Sequence, residues 1–198
     1  MDAKQKILSA LKEILLTEGH HAVSVRKVAA AAGVNHGLVH HYFGSKEKML
    51  CAAIEDLAHR KFSQFARDVA NSTAEDLSGA LSKILITDVE FSRLLNEFVV
   101  LAADLPLLRK ALAKTVESRR DLLMKLFNFD LPEATAFQAA LIGAQFIKNI
   151  MGPDYIESAL PILQRQLVQR ANPSITDIES LLHSAKEPES TPSGEENE

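Results

Sequence analysis

The chain has 198 residues, 46% hydrophobic and 24% charged, with a mean hydropathy of -0.01, a make-up that fits one or two globular domains and excludes wholesale disorder, collagen-like sequence and coiled-coil monotony. Its net charge of -4 excludes an all-over basic coat but is unevenly spread: residues 1–60 sum to +2 and hold six of the seven histidines, whereas residues 176–198 sum to -6. Cys51 is the sole cysteine, so no intramolecular disulfide or cysteine-built zinc site can form, and no secretory signal or bilayer-length apolar run is evident; a reducing, cytoplasmic setting and no membrane contact are expected.

Ile7, Leu8, Leu11, Ile14 and Leu15 form one apolar stripe, predicting a first helix that ends at Gly19. Ser24 offers an N-cap to a short second helix carrying Val28, Ala29 and Ala32, and Gly33 punctuates its end. Asn35 caps a third short helix, with Val39 and Phe43 four apart on its inner side and His36 and His40 on its outer side. Gly44 ends that helix, and Ser45 caps a long fourth one, through Leu50, Ile54, Leu57, Phe65 and Val69 to about Asn71–Thr73.

Only helical patterns follow, over roughly Glu75–Ile86, Val89–Ala103, Pro106–Phe127, Glu133–Met151 and Asp154–Ala171, with breaks at Asp104–Pro106, Asn128–Pro132 and Gly152–Pro153. About nine helices and an all-α fold are expected. Residues 184–198 have no apolar side chain larger than alanine to offset chain entropy and are expected to form an acidic, disordered tail.

Two short helices joined around Ala32, Gly33 and Val34 meet the needs of a helix-turn-helix: a tight turn and small residues at the crossing. The stretch Ser24 to Leu50, SVRKVAAAAGVNHGLVHHYFGSKEKML, with the first-helix stripe and Gly19 before it, resembles the N-terminal signature of the TetR (TetR/AcrR) family of transcriptional regulators. The resemblance covers the first fifty to sixty residues; the remainder is similar only in length and helical pattern.

The resemblance implies a DNA-binding head over 1–46, a larger helical effector-binding and dimerisation domain over 47–183, and the tail over 184–198. It implies a homodimer that binds a palindromic double-stranded DNA operator, most often as a repressor, and is released by a small-molecule effector; the alternative is a DNA-bound regulator whose C-terminal domain only dimerises or recruits a protein. It carries Ser24, Arg26, Lys27, Asn35, His36, Gly37, His40, His41, Tyr42 and Lys46 to the DNA face. Lys46 matches the family's lysine at the start of the fourth helix, where helix amides also favour an anion. His40 stands where the family usually has tyrosine, and its charge changes near neutrality.

Other readings compete for the same residues. His36 and His40 have metal-pair spacing, but a third ligand is lacking and His36-Gly-Leu-Val-His40 has no catalytic glutamate, so neither metal nor cofactor is expected. No triad order or phosphate loop points to an enzyme. Phe62, Phe65, Phe91, Leu94, Phe98, Met124, Phe127 and Phe146, with Asn96, Gln145 or Asn149 as polar anchors, suit either an apolar effector cavity or ordinary core. Ala136, Ala139, Ala140, Gly143 and Ala144 on Glu133–Met151 permit close helix approach and, with the last helix, match in order the family's dimer-forming pair.

Overall fold

The structure, a computed structural model, describes residues 2–71, 89–152, 154–157, 161–163, 165 and 169; the helix expected over Glu75–Ile86, most of the one expected over Asp154–Ala171 and the acidic tail lie outside them. Among the described residues every regular element is helical: α1 (Ala3–Thr17), a 3-10 turn (His20–Ala22), α2 (Val25–Ala31), α3 (His36–Phe43), α4 (Lys46–Ala70), α5 (Val89–Leu101), α6 (Pro106–Phe127), α7 (Leu131–Met151) and α8 (Asp154–Glu157). The all-α class is as the sequence implies.

Local chemistry sets the boundaries. Asp2, Ser24, Asn35 and Ser45 each accept a backbone N–H of the helix they precede, satisfying donors that a helix start leaves open. The stripe Ile7, Leu8, Leu11, Ile14 and Leu15 is buried, and α1 stops where Gly19, at φ +78°, lets its N–H reach back to the Ile14 carbonyl. α7 starts two residues before the expected Glu133. Asp130 and Glu133 close a reciprocal capping box, so Pro132 falls in the first turn, where no N–H is needed, and opens the helix rather than breaking the chain before it.

The buried side chains form two clusters. One gathers α1, α2, α3, the first part of α4, the Leu94–Phe98 side of α5 and the start of α6, around Ile7, Leu11, Leu50, Ile54, Phe98 and Leu108. The other joins the second part of α4 to the end of α6, α7 and α8, with Phe65 packed on Phe127, Phe127 on Phe129 and Phe129 on Phe137. The boundary expected after residue 46 therefore lies inside a continuous core. α4 crosses from one cluster to the other.

Polar ties fix α5 and α6 to the N-terminal helices. On one side of α5, Glu90 pairs with Lys12, Arg93 donates to the Leu16 carbonyl at 3.0 Å, and Glu97 accepts the His20 backbone N–H at 2.7 Å with the His20 ring Nδ1 at the same distance. The cap residue of α6, Leu105, has no side-chain acceptor to offer, and Glu47 of α4 takes the Leu107 N–H instead, at 2.8 Å.

Candidate functional site

α3 holds its place by two residues: Val39 and Phe43 are buried, while His36, Gly37, Leu38, His40, His41 and Tyr42 all face solvent. Gly33, at φ +64°, makes the turn between α2 and α3, a conformation that disfavours any side chain. Gly44, at φ +75°, ends α3 and lets its N–H return to the His40 carbonyl. A short helix thus stands proud of the core with nearly its whole circumference bare, in the manner of an element that enters a groove.

The residues expected to face DNA have distinct partners. Ser24 Oγ caps α2 on Lys27 N–H at 3.2 Å, and Asn35 Oδ1 caps α3 on Gly37 N–H at 2.8 Å, so both hold geometry first. Lys27 is engaged by Glu18 across the turn between α1 and α2, a carboxylate that competes with any phosphate for it. Arg26 is exposed, and Lys46 stands half-buried in the first turn of α4. His41 meets the Tyr42 ring edge-on at 5.3 Å between centroids.

His40 Nδ1 lies 3.2 Å from the Gly44 carbonyl oxygen. A carbonyl only accepts, so this nitrogen carries the hydrogen, and a neutral ring turns a bare Nε2 acceptor outward. His36 sits across from it, ring centroids 6.4 Å apart, and among the described residues no group of three His, Cys, Asp or Glu gathers as metal ligands would. Leu38 is a further exposed residue of α3. Its place off the Val39–Phe43 stripe is the signal that finds it, and its exposure suits contact with a thymine methyl.

The residues expected to line an effector cavity fall into two groups and not one. Leu94 and Phe98 belong to the first core cluster; Phe65 and Phe127 to the second, with Phe62 and Met124 packed against it. Phe91 is buried under the Lys61 ammonium, and Asn149 Nδ2 donates to Ser92 Oγ at 2.9 Å. Asn96 is exposed, and so is Phe146, at 59%, on the outer side of α7. Gln145 is buried with Oε1 unpartnered. A cleft of about 170 Å³ between α1, α4 and α5 includes only Leu94 and Phe98 of this set and has a charged rim of Lys12, Asp56, Arg60 and Lys61. Small-molecule sites usually need about 300 Å³ or more.

Residues 7–53 match the model of the bacterial regulatory proteins of the tetR family, the span of α1, the turn and α2–α3 with the start of α4. Over this segment the chain carries the TetR-family signature. Among curated relatives, the regulator BetI of Rhizobium meliloti is 39% identical over 54 residues, 27% of each chain, so the matched stretch spans about a quarter of that relative's length, and the repressor AcnR of Corynebacterium efficiens is 29% identical over 107 residues, 46% of this chain and 55% of its own. Solved structures extend the likeness through the body. A transcriptional regulator of Streptomyces coelicolor, SCO7518, has a TM-score of 0.71 at 22% identity over 83% of this chain and 98% of its own, a likeness of fold. The multidrug-binding protein EbrR, complexed with ethidium, has a TM-score of 0.66 at 26% identity over 84% of this chain and 99% of its own.

Proposed function

We propose that the protein is a cytoplasmic, dimeric DNA-binding regulator of transcription, a repressor that leaves a palindromic operator when a small effector binds its body. The observation that carries the reading is α3, with six bare residues on a two-residue anchor inside the segment that matches the family model. On DNA, His36, Gly37, Leu38 and His41 would read base edges, while Arg26, His40, Tyr42 and Lys46 would hold the backbone. Division of the chain into a head over 1–46, a body over 47–183 and a tail over 184–198 is a division of role.

A dimer is supported by the outer face of α7. Ala136, Ala139 and Ala140 are exposed along its first half, and Phe146, Ile147, Ile150 and Met151 along its second. A Cβ added at Gly143 would meet nothing within 4 Å among the described residues, so none of them calls for glycine in mid-helix, where it costs about 1 kcal/mol against alanine. A second α7 crossing there would use that room. Two heads held about 34–36 Å apart can address successive major grooves.

Release follows if the effector favours the head spacing that misses the operator, since equal affinity for both states shifts nothing. α4, shared by both core clusters, and α5, tied to α1 and to His20, are the elements able to pass that bias on. That EbrR is solved with ethidium supports a body that accepts small molecules. Selection of genomic fragments by the purified chain, then footprinting at fixed salt, tests the reading. A protected palindrome is expected; no enrichment by a folded dimer would overturn it, and protection that no small molecule relieves would favour a regulator working through dimerisation or a protein partner.

A further inference from the structure

His36 and His40 stand one helical turn apart on α3, both exposed, with ring centroids 6.4 Å apart and the rings close to perpendicular. Histidines four apart on one helix face are the spacing by which a helix offers two imidazoles to a single transition-metal ion. Each nitrogen–metal bond is about 2.0–2.1 Å long, so the two nitrogens must come within about 4 Å of each other, a closure that side-chain rotation permits in exposed rings.

The tautomer of His40 suits this use. Its Nδ1 hydrogen goes to the Gly44 carbonyl at 3.2 Å, and a metal-binding histidine ordinarily has its other ring nitrogen held in this way, by a carboxylate or a backbone carbonyl. The same bond leaves Nε2 with a lone pair alone. A phosphate oxygen also only accepts, and near a pH of about 7.5 an ordinary histidine carries no charge, so His40 by itself has nothing to give the DNA backbone. Lys27 is engaged by Glu18, which leaves Arg26 and Lys46 as the cations of the expected contact set.

Among the described residues no third His, Cys, Asp or Glu completes a closed metal site, so the other positions around an ion on this pair belong to water. Water on a divalent ion is a strong hydrogen-bond donor, and imidazole ligands favour zinc, copper and nickel over magnesium and calcium. Building on the DNA-binding reading above, we propose that His36 and His40 hold a divalent transition-metal ion of the zinc class on the outer face of α3, and that its water ligands donate to a backbone phosphate which His40 alone cannot serve. Metal then strengthens operator binding.

The test begins with titration calorimetry of the full, DNA-free chain at a pH of about 7.5, with Zn2+ and with Mg2+ as a hard-cation control. Binding of Zn2+ is expected, weakened at least about tenfold by His36→Gln or by His40→Gln, and unaltered by His21→Gln, whose ring stacks on His20 in the turn after α1. Mg2+ should not bind there. In anisotropy titrations with the footprinted operator, Zn2+ should then raise the parent's affinity by about tenfold, with EDTA reversing the gain. Neither His36→Gln nor His40→Gln, weaker binders at the outset, should show that gain. The inference is overturned if either variant binds Zn2+ as the parent does, or if Zn2+ leaves the parent's operator affinity unchanged or lowers it. Should Zn2+ bind through the two histidines while no operator can be enriched, the DNA-binding reading falls, and the strengthening with it, while the metal site stands; a protected operator with no Zn2+ binding removes the metal inference alone.

Discussion

At the scale of single residues, the caps were legible and the pairings were not. Ser24, Asn35 and Ser45 act on N–H groups two or three positions ahead, within the reach of a sequence window. Lys27 finds Glu18 only once α1 and α2 have folded together. The His40–Gly44 contact sharpens an expectation the sequence supports. With Nδ1 engaged by Gly44, only Nε2 is left to meet the DNA, so His40→Ala should weaken operator binding while leaving the fold intact. Binding curves at fixed salt check this, and parental affinity of His40→Ala would remove the contact.

Lys46 has no carboxylate partner among the described residues, so Lys46→Ala should weaken binding to every sequence and reduce the slope of log affinity against log salt by about one per lost contact. An unchanged slope would end its phosphate role. Cys51 presents a contrasting case: burial, then the charges of Glu55 and Glu47, push its thiol pKa up, which keeps it protonated. Alkylation by iodoacetamide near pH 8 should be slower than that of free cysteine, and Cys51→Ala should bind operator as the parent does; rapid labelling with lost binding would contradict this.

At the scale of elements, periodicity located the helices but could not say which would share a core. The apolar stripe of α5 looks alike whether it faces a ligand or α1, and only the fold assigns Leu94 and Phe98 to the first cluster and Phe65 and Phe127 to the second. Remote capping is equally hidden, because Glu47 and Leu107 are 60 residues apart. Glu47→Ala should expose the α6 start and lower stability by about 1 kcal/mol in urea unfolding, with Glu47→Gln losing less. Equal stability of Glu47→Ala and parent would mean that water replaces the cap.

At the scale of the whole molecule, Ala136, Ala139 and Ala140 share an exposed face of α7, whereas Ala144, expected with them, is buried in the second core cluster; the sequence could not reveal this, nor that the face widens into Phe146, Ile147, Ile150 and Met151, all exposed. Burying such side chains is worth about 1.5–3 kcal/mol each, enough for a handful to decide association. Gly143→Leu and Ile150→Glu should therefore yield folded monomers in sedimentation and lose the footprint together. A dimer surviving both changes would place the contact elsewhere.

The core that runs through residue 46 has a practical consequence for anyone transplanting specificity between such proteins. A graft cut at that point would leave Ile7, Leu11 and Leu15 without Leu50, Ile54, Phe98 and Leu108 of their own chain, and would ask a foreign body to complete their oil. Six exposed positions on α3 can be exchanged without touching that seam. On the proposed reading, recognition is therefore interchangeable by surface substitution, while the head is not interchangeable as a piece.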